Sequence, residues 1–379
     1  MIKKLRLTAF ALYDSGETVL GALLFSTLYP LYITEHIDTK VYSALYGLSF
    51  FLSFLVALQL GRLADQRGWR KSFFTFFSLS VPLMSLPLFF SFEKPWINLS
   101  LFLLLAVLHQ QALVFYNSLL KSFDAKGCAS GIGVSFGYVA SAVALIFLAP
   151  YLKLPSAFIW VGLLFFLLSA SSFVLLVEPQ ERQRVRIGDV FRDKGFMLLM
   201  ASMILLMELA HTLIAMMGVY LREVYGLEKE SIYRIIGLSA FGGVFGGLFF
   251  GFLTDRFSAE RLFPIGFFLW GGFIVFLYLS TQELLLAVGL LAGLCLSHLW
   301  TTSRVLLIEK FTDGDVSVKF SFYSLSERIA STLGLLFWSL FLLITENDYR
   351  LSALLMLSFP VLGFILYSIS NRGFKVDRL

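Results

Sequence analysis

Ionisable side chains lie inside long apolar stretches of this chain, where they are best placed to do chemistry. Three of the four histidines, His109, His211 and His298, fall near the centres of such stretches. Glu208 precedes His211 by three positions, a spacing that puts both on one face of a helix. A carboxylate and an imidazole removed from water can exchange protons near neutral pH. The spacing favours a proton-binding pair; a hydrogen-bonded pair that only fixes the helix is the open alternative.

A second acidic pair, Asp14 and Glu17, has the same spacing near the N-terminus. Either carboxylate could bind a proton or a substrate ammonium, while Asp14 could instead form an interfacial salt bridge or pack against Asn117. Arg304 could hold a substrate carboxylate through two parallel hydrogen bonds or extend to the membrane surface. The candidate substrate or proton pathway comprises Asp14, Glu17, His109, Gln110, Gln111, Asn117, Glu208, His211, His298 and Arg304.

Glu327 and Arg328 are adjacent, so on a helix they point about 100° apart. We therefore expect each to meet a neighbouring helix, as part of a structural ion pair. No two histidines share a helix turn, which argues against a metal site. We predict no metal, no cofactor and no catalytic residues.

Composition places these residues in a membrane protein. Apolar residues make up 58% of the chain and charged residues 15%, against about 45–50% and 25% in soluble domains. The net charge of +5 does not indicate nucleic-acid binding, because basic residues mark the cytoplasmic loops of membrane proteins. Here they concentrate at the N-terminus, in the loops after even-numbered spans and in the C-terminal tail, which predicts that both termini are cytoplasmic.

A helix needs about 20 apolar residues to cross the hydrocarbon, and open sheet edges are excluded there. The polar stretch 178–195 separates two halves, 1–177 and 196–379, each with six predicted spans. The predicted all-α spans are 8–33, 41–63, 73–92, 97–120, 130–152, 157–177, 196–221, 231–254, 262–280, 283–308, 318–344 and 349–370.

A charged turn marked by glycines follows span 2, at 61–71, and returns in weaker form after span 8, at 251–256. Small residues precede both copies at intervals of four, as at Ser53 and Ala57 in the first. The repeat indicates two related halves. The turn residues singled out are Gly61, Asp65, Arg67, Gly68, Arg70 and Lys71, with Asp255 in the second copy.

Twelve spans in two halves, with this turn after spans 2 and 8, resemble the major facilitator superfamily. Short motifs are similar to those of the autophagy-related vacuolar amino-acid effluxer family and its bacterial relatives; they lie at 11–15, 28–32, 114–120, 130–138, 302–304 and 320–325. The resemblance implies two pseudo-symmetric six-helix bundles that alternate access to a cavity lined by spans 1, 4, 7 and 10. It also implies that Asp65 and its basic neighbours form a gating latch.

These observations predict a secondary active transporter, with proton-linked export of an amino acid or similar small polar solute as the leading hypothesis. Export of amphiphilic, drug-like or lipid-like molecules is the alternative, and a non-transporting receptor or scaffold is an alternative of another class. An enzyme is not expected, because the GxSxG pattern at 133–137 lies in an apolar helix rather than at a strand-to-helix turn. We expect a monomer in a bacterial inner membrane whose partners are the bilayer, a small-molecule substrate and a proton.

Overall fold

The computed structural model describes residues 2–182, 186–310 and 315–376, and the regular structure of these residues is helical throughout. Residues 183–185 of the predicted linker and 377–379 of the tail lie outside that description. Within the described ranges, twelve helices are long and apolar enough to cross a membrane, which confirms the predicted fold class. They run Ile2–Thr34, Thr39–Arg67, Arg70–Phe90, Pro95–Ser122, Lys126–Tyr151, Ser156–Leu175, Lys194–Tyr225, Arg234–Phe257, Ala259–Leu279, Gln282–Lys310, Val316–Ile344 and Tyr349–Asn371; we number them spans 1–12.

Several helices extend beyond the apolar stretches that predict them. Span 1 begins at Ile2, and span 2 continues to Arg67, where Gly68 ends it in the left-handed conformation with φ 70°. Glycine adopts this conformation without steric cost, which is why it commonly follows a helix. The apolar stretch of span 2 stops before the charged last turn of the helix. The sequence therefore predicts that Asp65 lies in a loop, whereas in the structure it lies on the helix.

Two spans contain segments with the wider π-helical turn. Residues Gly21–Leu28 of span 1 and Ala144–Leu148 of span 5 form these segments. π-Helical turns are rare and often occur at functional sites. Neither segment is visible in the hydrophobic pattern.

The chain divides into two compact units. The first unit contains Met1–Val185 and Phe311–Ser324, and the second contains Arg186–Lys310 and Leu325–Leu379. The predicted halves divide within the same linker, whereas the attachment of the first turns of span 11 to the first unit has no counterpart in the sequence prediction.

Aromatic stacking forms the core of the first unit. Tyr13 stacks on Tyr116 with ring centroids 4.3 Å apart and meets Phe74 edge-on at 4.8 Å. Its hydroxyl is 3.1 Å from Ser78 Oγ. Buried aromatic rings prefer these offset and edge-to-face arrangements, so the cluster fixes span 1 against spans 3 and 4.

Glycines bring spans 8 and 10 together in the second unit. A Cβ atom placed on Gly293 would lie 2.6 Å from Gly243 N, and one on Gly289 would lie 3.0 Å from Ile235 O. Small residues four apart allow such close approach between membrane helices. Spans 8 and 10 therefore pack with their backbones in close contact.

Candidate functional site

A carboxylate and an imidazole from different spans meet in the first unit. Glu17 Oε1 of span 1 lies 3.8 Å from His109 Nε2 of span 4. The His109 side chain is 4% exposed and the Glu17 side chain 24% exposed. Phe25, in the π-helical segment of span 1, stacks on the His109 ring at 5.0 Å. The sequence marks Glu17 and His109 as separate candidates and does not indicate that they form a pair.

The two glutamines that follow His109 make specific contacts within the same unit. Gln111 Nε2 donates to the Ser53 carbonyl at 2.9 Å and to Ser53 Oγ at 2.7 Å. Gln110 Nε2 donates to Ser324 Oγ. Gln111 therefore joins span 4 to the small-residue face of span 2, a structural role that its position in the sequence does not reveal.

Asp14 and Asn117 are both buried in the first unit. A Cβ atom on Gly133 of span 5 would overlap Asp14 Oδ2. The close approach of spans 1 and 5 thus depends on a glycine opposite Asp14. This contact favours a packing role for Asp14 over a place in a solute pathway.

Glu208 and His211 of span 7 are not joined to each other by a hydrogen bond or an ion pair. Glu208 is 2% exposed, and its Oε1 finds no hydrogen-bond donor among the residues that the structure describes. His211 Nε2 is likewise buried with no partner in that part of the chain. The His211 ring packs 5.6 Å from Trp300, and Arg328 is close enough to act on it electrostatically. Two polar groups with unsatisfied hydrogen-bonding capacity therefore lie on one face of span 7.

Arg304 and Arg328 both act on Glu327 within the second unit. Arg304 is buried and donates from Nε to the Trp300 carbonyl at 3.2 Å. Arg304 therefore lies within the helix packing of this unit. Its charge and that of Glu327 come from spans 10 and 11, in keeping with the expectation that Glu327 faces a neighbouring helix.

His298 is enclosed by helix packing. It is fully buried, and its Nε2 is 3.0 Å from the Leu262 carbonyl. Phe250 meets its ring edge-on at 4.6 Å, and a Cβ atom on Gly266 would lie 2.7 Å from its Cε1. These contacts favour a structural role for His298, which its central position in span 10 does not distinguish from a pathway role.

Asp65 joins the end of span 2 to the start of span 11 within the first unit. Its Oδ1 accepts from Ser317 N at 3.1 Å and its Oδ2 from Val318 N at 3.2 Å. These amides belong to the first turn of Val316–Ile344, where backbone N–H groups lack partners within the helix and the helix dipole is positive. Arg70 Nε lies 2.9 Å from the same carboxylate, and both side chains are fully buried. Asp65 therefore caps a helix that lies about 250 residues away in the chain.

Close backbone approach accompanies this contact. A Cβ atom on Gly61 would lie 3.1 Å from the Ser317 carbonyl. Gly61 lies one helical turn before Asp65, so both face span 11. The sequence identifies both residues but not span 11 as their partner.

The start of the linker also binds the turn after span 2. Arg70 Nη1 donates to the Glu181 carbonyl at 3.0 Å and lies 3.6 Å from Glu178 Oε1. Glu178 Oε2 accepts from Lys71 N at 2.6 Å, and Glu181 pairs with Lys121. Burial raises the pKa of Glu178 above its ordinary value despite these contacts. The composition of 178–195 predicts only a boundary between the two halves and does not reveal this docking.

The remaining turn residues lie nearer the surface. Arg67 is stacked over the Trp69 ring at 4.6 Å, and Gly68 packs beneath Arg182, whose Nε would lie 2.8 Å from an added Cβ. Asp255, the counterpart of Asp65 in the second copy, is exposed. The two copies of the turn thus differ in burial.

The fold and these contacts agree with what comparison with known proteins shows. Residues 200–375 match the family described as Major Facilitator Superfamily, and residues 26–127 match the family described as Vacuole effluxer Atg22 like. The chain belongs to the major facilitator superfamily. Both resemblances drawn from the sequence motifs are thereby confirmed. This superfamily member is an integral, multi-pass membrane transporter and not an enzyme.

Similar proteins extend over almost the whole chain. An uncharacterized protein of Aquifex aeolicus (strain VF5) is 53% identical over 365 residues, which cover 96% of this chain and 97% of that protein. A bacterial homologue of the iron transporter ferroportin, solved in an outward-facing state, matches with a TM-score of 0.76 at 17% identity, covering 98% of this chain and 100% of that one. The human organic anion transporter MFSD10 matches with a TM-score of 0.76 at 12% identity, covering 97% and 98%. At these identities the two structures show the fold alone.

Proposed function

We propose that this superfamily member is a secondary active exporter that couples the movement of an amino acid, or a similar small polar solute, to protons. Transport proceeds by alternating access, in which two halves rock about a site near the membrane midplane. Similarity of residues 26–127 to the Atg22-like effluxers supports the export direction. We place both termini in the cytoplasm of a bacterial cell and the monomer in its inner membrane.

The burial of Glu208, with no hydrogen-bond donor at Oε1 in the described ranges, is the observation that carries the coupling proposal. Glu208 is buried in span 7, and Oε1 has no donor among the residues described. Placing a charged side chain at the centre of a membrane helix costs about 2.5–3.5 kcal/mol on insertion scales. A structural carboxylate offsets such a cost by bonding to its neighbours. Within the part of the chain that the structure describes, Glu208 Oε1 has no such donor, which supports reversible binding of a proton.

His211 provides the second group of the coupling site. It lies one turn from Glu208 on span 7, and its unsatisfied Nε2 can accept a proton. Arg328 of span 11 acts on the ring electrostatically. Because the charge of Arg328 belongs to span 11, a movement of span 11 changes the electrostatic potential at Glu208 and His211. Protonation of these two residues is thereby linked to the packing of span 11, as a coupled transporter requires.

The Asp65 contact supplies the gate in this proposal. It forms in one state of the transport cycle and breaks in the other, because the first turn of span 11 must then move away from span 2. Its burial and its four hydrogen-bonding or ionic contacts suit a contact that holds one state closed.

Reconstitution into liposomes with an imposed pH gradient tests the coupling. Amino acids and lipophilic cations would be screened for movement that follows the gradient. We expect Glu208→Gln to abolish gradient-driven movement, and Glu223→Gln, at the exposed end of the same span, to retain it. Gradient-driven movement that persists in Glu208→Gln would refute the role of Glu208.

A further inference from the structure

The pair formed by Glu17 and His109 has the geometry of an ion pair without a direct hydrogen bond. Its Oε1 to Nε2 distance of 3.8 Å is within ion-pair range but exceeds the length of an N–H···O hydrogen bond, about 2.7–3.2 Å. A quarter of the Glu17 side chain is exposed, whereas His109 is buried behind it. The exposed part of the Glu17 side chain is therefore within reach of a cation, while His109 is buried.

Aromatic rings surround the pair on the side of the π-helical segment. Phe25 stacks on His109, and Phe102 lies 5.2 Å from Phe25 and 5.8 Å from Tyr46. Phe25 and Tyr46 are both partly exposed. The face of an aromatic ring attracts cations and also packs against apolar groups. A carboxylate beside such a wall suits a ligand that combines an ammonium with an apolar body.

The other ionisable groups near this part of span 1 lie elsewhere in the packing. Asp14, one turn away, is directed at Gly133 of span 5. On span 4, Tyr116 donates its hydroxyl to the Phe10 carbonyl at 2.8 Å, about two turns from Glu17. Span 5 carries Lys126, Cys128, Tyr138 and Tyr151, and span 6 carries no ionisable residue. Spans 2 and 3 also pack on span 4; span 2 places Tyr46 against Phe102, and the charged residues of span 3, Arg70 and Lys71, bind the linker. His109 is a basic side chain that the structure places against the Glu17 carboxylate.

We propose that Glu17, backed by His109 and Phe25, binds the ammonium group of an organic amine, and that each bound amine displaces one proton from His109. The proposal deepens the proposed function and rests on it, since it names the class of solute that the exporter takes. With an imidazolium beside a carboxylate the pair is neutral, and a second cation would meet like-charge repulsion. Loss of the Nε2 proton to water lets the ammonium take the place of the imidazolium charge. One cation enters as one proton leaves, so charge balances.

Titration calorimetry with benzylamine on the purified full chain in nanodiscs tests this exchange. Benzylamine stays protonated between pH 5 and 8, and benzyl alcohol is its neutral counterpart of similar shape. Where His109 holds its proton before the amine binds, competition with that proton lowers the amine affinity about tenfold for each unit by which the pH falls. We expect this slope, the release of one proton per amine as measured in buffers of different ionisation enthalpy, and at least tenfold weaker binding of benzyl alcohol.

Two variants separate recognition from exchange. Glu17→Gln keeps the shape of the side chain and should lose at least tenfold in benzylamine affinity, while Glu93→Gln, on an exposed turn, should bind as the wild type does. His109→Gln should retain binding but lose its pH dependence. Unchanged binding in Glu17→Gln, or a wild-type pH slope in His109→Gln, would overturn the proposal. A thermal unfolding scan confirms that each variant is folded.

The outcome is separable from that of the proposed function. If the wild type binds no benzylamine but moves another solute with the pH gradient through Glu208, the ammonium site fails and the coupled exporter stands. If benzylamine binds with release of a proton but no solute follows the gradient, the ammonium site stands and the coupled exporter fails.

Discussion

Replacing Asp65 with asparagine should release the start of span 11 from the end of span 2. The carboxylate accepts hydrogen bonds from Ser317 N and Val318 N and pairs with Arg70 in a fully buried setting. Asparagine keeps the shape and one acceptor oxygen but removes the charge. Arg70 then loses the charge of its nearer carboxylate and keeps Glu178 at 3.6 Å, and one of the two backbone amides loses its acceptor.

The expected cost follows from these contacts. Removing one partner of a buried ion pair costs about 3–5 kcal/mol, and the lower end applies because the asparagine side chain retains one acceptor oxygen. A change of about 3 kcal/mol shifts an equilibrium by more than a hundredfold, since 1.4 kcal/mol is tenfold. The contact between residue 65 and span 11 should therefore open far more often in Asp65→Asn.

Amide hydrogen exchange measures this opening directly, because Asp65 accepts from the amides being followed. We expect a peptide covering 315–324 to exchange about a hundredfold faster in Asp65→Asn, and solute transport to fall with it. Asp255→Asn is the matched control, since Asp255 holds the same place in the second copy but is exposed. Unchanged exchange over 315–324 would refute the structural reasoning, and normal transport kinetics would refute the gating role.

Three further predictions concern the packing, the orientation and a strained turn. Gly293→Ala should lower the free energy of unfolding by about 1–3 kcal/mol through overpacking, since its Cβ would lie 2.6 Å from Gly243 N. Gly237→Ala is the control, because the space around Gly237 is open, and it should not lower the stability. Thermal unfolding compares the two variants. A membrane-impermeant thiol reagent should label Glu93→Cys in intact cells but Asp124→Cys only after permeabilisation, because we place residue 124 in the cytoplasm; the reverse pattern would invert the topology. Ser258→Gly should raise the melting temperature, because Ser258 has φ 74° and ψ 149°, a region that costs a residue other than glycine about 1–3 kcal/mol.

The fold could be predicted from the sequence because the membrane imposes it. Length and apolar content locate a spanning helix, and the glycines of span 8 indicate close packing with a neighbour. The partner of span 8 does not follow from that pattern. It depends on which other helix offers small residues in register, as Gly289 and Gly293 of span 10 do.

The candidate site was predictable as a set of residues but not as a set of contacts. Spacing along one helix suggests a pair of Glu208 with His211, yet among the described residues Glu17 and His109, from different spans, form an acid–imidazole pair. A spacing of three only places two side chains on one face; whether they meet depends on rotamers and on neighbouring helices. For the same reason His298 looks equivalent to His109 in the sequence, although it bonds to the Leu262 carbonyl.

The two copies of the charged turn show how far an internal repeat predicts function. Both keep an aspartate in the last turn of a span, and both leave the helix with a positive φ, 70° at Gly68 and 74° at Ser258. Asp65 is buried against span 11, Arg70 and the linker, whereas Asp255 is exposed. Burial of a carboxylate requires donors, and the first copy obtains them from a helix N-terminus and an arginine. The repeat therefore predicts the same helix end in both copies. It does not predict that the aspartate of the first copy is buried, because that burial depends on hydrogen-bond donors of span 11, far away in the chain.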